Sequence, residues 1–120
     1  MPTPGIEVFL YGSLLDPAVL AARSGRRGLA RRAVPALLPG WRRVRLRAGP
    51  WPMLLRARGG AVRGLVVRLR GAALRRLVAY EGSAYALRRC TLLRWPGGRP
   101  AGRLRAWAWM ARPGLAHHGG

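Results

Sequence analysis

The spacing of apolar and polar positions changes several times along the chain, and each change marks an element. "IEVFLY", residues 6 to 11, is an unbroken β-branched and aromatic run that stops at Gly12, and it reads as a strand covered on both faces. In "SLLDPAVLAAR", Asp16 suits a helix N-cap and Pro17 the first helical position, where its missing N–H is harmless. A helix of about two turns is predicted from Pro17 toward Arg23, ended by "SGRRG". In "WRRVRLRAG", Val44 and Leu46 fall on one side and Arg43, Arg45 and Arg47 on the other, the alternation of a strand with one wet face. "VRGLVVRLRG" alternates in places in the same way.

The period then lengthens. In "GAALRRLVAYEG", Leu74, Leu77 and Val78 stand at i, i+3 and i+4, which predicts one inward helix face, and Gly82 supplies a stop. "YALRRCTLLRW" and "RLRAWAWMAR" predict two strands joined through the turn-rich "PGGRP" as an antiparallel hairpin. The tail "PGLAHHGG", from residue 113, is expected to fray. Short strands with two short helices, no internal repeat and no regular strand-helix alternation predict a single α+β domain over residues 1–120, a small closed barrel being one form of it. Connectivity stays open at this point.

Composition changes the picture in two ways. With 120 residues, half of them apolar, the chain can bury a real core. Its formal charge of +20 would normally point to a polyanionic partner. All 23 basic residues are arginine, however, and Lys, Asn and Gln are absent while Ala, Gly, Pro, Arg and Leu dominate. That is the residue usage of GC-rich codons, so the charge alone is a poor witness to nucleic acid.

Cys90 is the one cysteine, which excludes an internal disulfide or a cysteine zinc cluster and suits a reducing cytoplasm. The opening "MPTPGIEVFLYG" has no basic signal-peptide region, and no apolar run approaches the ~20 residues of a membrane span. A soluble, cytoplasmic protein is expected. His117 and His118 are adjacent and without a third ligand nearby, so no metal centre is expected from them.

The acids carry the chemical interest. The chain has three, Glu7, Asp16 and Glu81, and beyond residue 16 only Glu81 remains. Glu81 stands at i+4 from Leu77 and therefore on the predicted inward face, near a helix C-terminus, where burial and the macrodipole both disfavour its charge. An ion pair with Arg75, Arg76, Arg88 or Arg89 is the plain structural explanation. The chemical one is a proton-transfer group raised toward working pH. A lone carboxyl excludes a two-carboxylate glycosidase. Upstream, "YGSL" follows a buried strand, where Gly12 lets the backbone bend and the next N–H groups can converge on an anion.

"VFLYGSLLDP", "GWRRVRLR", "WPMLL" with "VRGLVVRL", "LVAYEGSAY" and the closing "AWAWMA" occur in an order and spacing that resembles the γ-glutamylcyclotransferase-like, or AIG2-like, superfamily, from about Val8 to Ala111. The resemblance implies a small mixed β-barrel around a cavity, with short flanking helices. It also implies Tyr11, Gly12, Ser13 and Leu14 for binding the glutamyl end of a substrate and Glu81 for catalysis, with no cofactor. Tyr85 and Trp51 are further candidates for the pocket wall. Val78 stands where many relatives carry Asp, and Leu87 replaces an arginine often found there, with Arg88 one place later. The expected activity is cyclisation of a γ-glutamyl amine or peptide to 5-oxoproline, with the leaving amine unspecified.

Two other classes are consistent with the residues. One is a family member that binds a small molecule without this chemistry. The other is a basic nucleic-acid-binding module, suggested by Arg pairs among Trp41, Trp51 and Trp95, although alternating strands explain those arginines as a solvated face and attraction would then be non-specific. Cys90 in "RRCTLL" reads as a structural cysteine rather than an arginine-activated thiolate.

Overall fold

The computed structural model describes residues 5–45 and 52–112. Five strands, β1 (Ile6–Leu10), β2 (Val34–Arg45), β3 (Pro52–Leu69), β4 (Tyr85–Arg94) and β5 (Arg103–Ala111), close into a barrel in the order β1-β3-β2-β4-β5. All neighbouring pairs are antiparallel except β1 with β5, where Val8 lies beside Trp107 and Phe9 beside Ala108 in parallel. The expectation of a mixed barrel with short flanking helices is therefore met. Leu46 and Arg47, like Trp51 and the tail from 113, fall outside the described residues.

The run at the start of the chain is apolar on both sides because both sides are covered. Phe9 and Tyr11 point into the barrel, with Ala36, Leu38 and Leu92 from other strands. Val8 and Leu10 point outward and are covered together with Leu20 and Leu77 of the two helices. Strand β5 divides in the same way, Ala106, Ala108 and Met110 inward and Trp109 outward. Gly64 on β3 is required by close approach: a Cβ there would meet the Leu10 carbonyl oxygen and come within 2.6 Å of the Phe9 ring.

Helix α1 (Pro17–Ser24) begins as predicted, the Asp16 carboxylate accepting the Ala18 N–H at 2.9 Å. Such a cap contributes about 1 kcal/mol. Helix α2 (Gly71–Glu81) buries Ala73 and Leu77, with Leu74 partly covered. Val78 does not share that face: it is 46% exposed. The stripe follows Ala73, Leu77 and Glu81 at successive i+4 steps, one residue to the side of the predicted line. The hairpin of β4 and β5 runs from Tyr85 opposite Ala111 to Leu93 opposite Arg103, as the pattern predicts. Strand β2 starts earlier than its alternation suggests, at Val34, and takes in Pro35 and Pro39 before the register shifts between Pro39 and Trp41. Among the described residues, no helix is long and apolar enough to cross a membrane.

Candidate active site

The site forms where β1 runs out. Tyr11 is 6% exposed and lies in the barrel mouth, its ring stacked with that of Phe9 at 6.2 Å between centroids. Its hydroxyl donates to the Trp109 carbonyl of β5, and its own carbonyl accepts from Arg43 Nη1 of β2 at 2.7 Å. Burial, and behind it the charges of Glu81 and Tyr85, hold the phenol protonated far above its ordinary range. Tyr11 is thus a neutral donor fixed to two strands.

Gly12 packs on the start of β3, where a Cβ would come 3.0 Å from the Pro52 ring. Next, Ser13–Leu15 makes one 3₁₀ turn, in which the Leu15 N–H donates to the Gly12 carbonyl at 3.0 Å and the Asp16 N–H to the Ser13 carbonyl at 3.2 Å. Those bonds leave the N–H groups of Gly12, Ser13 and Leu14 without an acceptor among the described residues. Leu14, 3% exposed, anchors the turn in the core beneath it. The hydroxyls of Ser13 and Tyr80 lie 2.9 Å apart, which ties this turn to the end of α2. Arg23 of α1 sits over the Tyr80 ring at 4.9 Å.

Glu81 is the last residue of α2 and is partly buried. Burial pushes its pKa up to about 7. Among the described residues it makes no ion pair or hydrogen bond, and the pair found there joins Arg68 to Glu7 at 3.1 Å. Arg75, Arg76, Arg88 and Arg89 therefore do not neutralise it. Tyr85, at the start of β4, donates its hydroxyl to the Pro52 carbonyl at 3.1 Å, and burial followed by the Glu81 charge raises its pKa.

Tyr11, Gly12, Ser13, Leu14, Glu81 and Tyr85 border one cleft of about 100 Å³. Trp51 lies outside the described residues. Pro52, Tyr80 and Trp109 also border the cleft, and sequence reasoning did not select them. Tyr80 was legible in principle as the neighbour of Glu81, whereas Trp109 and Pro52 reach the site through strand pairings that no local pattern encodes. A carboxyl titrating near neutrality can pass a proton in either direction, and the neighbouring N–H groups that lack an acceptor among the described residues can hold an anion or a developing oxyanion. No group of three His, Cys, Asp or Glu side chains that could hold a metal ion gathers among the described residues.

Two other sequence features resolve more simply. Cys90 is half-buried, with its Sγ donating to the Ala106 carbonyl at 3.5 Å. Burial pushes its thiol up to about 11 against the opposing effect of Arg89, so it is not an activated thiolate. Trp41 lies under Arg56, and Trp95 is only partly exposed.

Comparison with known proteins agrees with this architecture. The family model described as gamma-glutamyl cyclotransferase, AIG2-like, matches residues 8–119. Protein AIG2 C of Arabidopsis thaliana is 37% identical over 80 residues, covering 66% of this chain and 47% of that protein, so the chain spans about half the length of that relative. A solution structure of another Arabidopsis thaliana protein superposes with a TM-score of 0.76 at 27% identity, over 92% of this chain and 71% of that one. A solved gamma-glutamyl cyclotransferase superposes with a TM-score of 0.69 at 15% identity, over 90% of this chain and 67% of that one, a likeness of fold. With a matching family model along nearly its whole length and the same barrel, the chain belongs to the AIG2-like gamma-glutamyl cyclotransferase family.

Proposed function

We propose that the protein cyclises a γ-glutamyl group, the substrate's α-amine attacking its own γ-carbonyl to give 5-oxoproline and a free amine. The observation that carries this reading is Glu81, without an ion pair or hydrogen bond among the described residues and held near neutrality by burial, on the same cleft as the Tyr11 to Leu14 turn.

One C–N bond forms in the ring and one breaks to the leaving group, and no water is consumed. Over a turnover the attacking nitrogen loses two protons and the leaving nitrogen gains two. Glu81, starting as the carboxylate, takes one from the attacking nitrogen and delivers it to the leaving nitrogen, and the other passes through solvent. The N–H groups of Gly12, Ser13 and Leu14 hold the substrate carboxylate or the oxyanion, and Tyr11 contributes a neutral wall. Closing the five-membered ring within a narrow cleft supplies orientation. No step calls for a cofactor.

The test is release of 5-oxoproline from a panel of γ-glutamyl dipeptides and γ-glutamyl amines by the wild type and by Glu81→Gln. Because general acid–base catalysis contributes about 10²- to 10⁴-fold, the variant is expected to lose at least that lower factor with its fold intact. Equal turnover by the two proteins, or none on the entire panel by the wild type, removes the assignment.

A further inference from the structure

A second, larger concavity of about 700 Å³ shares no lining residue with the cleft. The strands place the two at opposite ends of the barrel. Along β1 the cleft takes Phe9 and Leu10 toward the end, while the concavity is bordered by Glu7 near the start. Along β4 the cleft takes Tyr85 at the start and the concavity takes Arg94 at the end. Along β5, which runs antiparallel to β4, the order is reversed, Trp109 at the cleft and Leu104 at the concavity.

Seven of the thirteen residues lining this concavity are arginine, whereas arginine supplies 23 of the chain's 120. Codon usage explains how many arginines the chain carries, but not why half the wall of one hollow consists of them. Four, Arg26, Arg27, Arg31 and Arg32, lie in the segment joining α1 to β2. Arg68 comes from the end of β3 and Arg70 from the step between β3 and α2, and Arg94 closes the ring from β4. Three stretches far apart in sequence thus present guanidinium groups to one space. The acid in the wall, Glu7, is engaged by Arg68 at 3.1 Å, and the other six arginines have no carboxylate partner among the described residues. All seven are solvent-exposed, so each keeps its charge in reach of a ligand.

We propose that this distal mouth is a binding site for a compact polyphosphate anion. Guanidinium groups bind phosphate oxygens through paired, charge-assisted hydrogen bonds, and several of them around a hollow favour a ligand that concentrates charge in a small volume. The wall contains no aromatic side chain on which a base could stack, and its apolar floor is formed by Val34, Val66, Leu29 and Leu104. A concave ring also offers no element that could enter a duplex groove. Recognition therefore rests on phosphate charge and spacing, whether the phosphates belong to a free chain, a nucleotide or a phosphorylated polyol.

Calorimetric titration of the full chain at about 150 mM salt with inorganic phosphate, tripolyphosphate, ATP and inositol hexakisphosphate tests the assignment. Saturable one-to-one binding is expected for the last three and not for inorganic phosphate, with ATP binding no more tightly than tripolyphosphate. Replacing Arg31, Arg32 and Arg94 by Ala should weaken tripolyphosphate about tenfold or more, while the charge-matched Arg75, Arg88 and Arg105 triple Ala variant should bind nearly as the wild type does. Amide NMR of the wild-type protein gives a readout that needs no variant: tripolyphosphate should shift residues 26 to 32, 68 to 70 and 94 and leave 11 to 14 in place. Equal weakening in the two triple variants, shifts spread over all arginines, or tighter binding of a single-stranded oligonucleotide that grows with its length would overturn the proposal in favour of non-specific charge.

Discussion

Ser13 and Tyr80, 67 positions apart in the chain, place their hydroxyl oxygens 2.9 Å from each other and so join the turn after β1 to the last turn of α2. Both residues border the cleft that Glu81 also borders. Tyr80→Phe removes one partner at an exposed site, where a hydrogen bond contributes about 0.5–1.5 kcal/mol. KM for a γ-glutamyl substrate is expected to rise about twofold to tenfold with kcat nearly unchanged. Steady-state kinetics across substrate concentration separates the two parameters.

Burial sets Glu81 at about 7, and the proposed first step uses its carboxylate form. kcat/KM should therefore climb with pH on its acid side and bend over near 7, rather than near the ordinary glutamate value of 4.5. A pH–rate profile on one γ-glutamyl dipeptide, with 5-oxoproline as readout, checks this. A limb that levels off below pH 5 would place the proton transfer elsewhere.

The same shift links folding to pH. Below 4.5 the Glu81 carboxyl is protonated whether the chain is folded or not, so it imposes no penalty. Between 4.5 and about 7 the unfolded chain ionises while the folded one resists, and stability drains away as pH rises; above about 7 the loss is complete and constant. Glu81→Gln abolishes that contribution. Urea unfolding midpoints of the two proteins, compared across this range, should converge at low pH and separate in favour of the variant toward neutrality.

Gly64→Ala asks the barrel to admit a methyl group between the Leu10 carbonyl and the Phe9 ring. Neither neighbour can swing aside, because the carbonyl belongs to a strand and the ring is fully buried. Overpacking of this kind costs typically about 1–3 kcal/mol, and more where backbone must move. Thermal unfolding should register a drop at or beyond the upper end of that range. Arg63→Ala, at the adjacent exposed position, should leave the melting temperature almost unchanged.

What the chain discloses depends on how local the information is. Asp16 with Pro17, the hairpin across "PGGRP", and Glu81 one helical repeat beyond Leu77 are each encoded within a few residues, and all three positions were legible. Val78 was misplaced because Ala73, too small to stand out as apolar, defines the buried stripe that a larger residue seemed to claim. The first half of β2 was hidden by Pro35 and Pro39, which forgo ladder donors and so look like loop residues. Within the site, the Tyr85 bond to Pro52 and the Tyr11 bond to Trp109 are products of closure and have no local signature. The arginine ring was equally invisible, since composition dilutes it among sixteen others.

Because β1 lies parallel to β5, its partner on that edge is the last of the five barrel strands to be made. During translation Val8 and Phe9 wait with one flank unzipped until Trp107 and Ala108 have emerged, and the Tyr11 hydroxyl waits for Trp109. The cleft is thus completed only once β5 has been made: a nascent chain halted before β5 has its glutamate and its turn, but no Trp109 carbonyl to hold the Tyr11 hydroxyl.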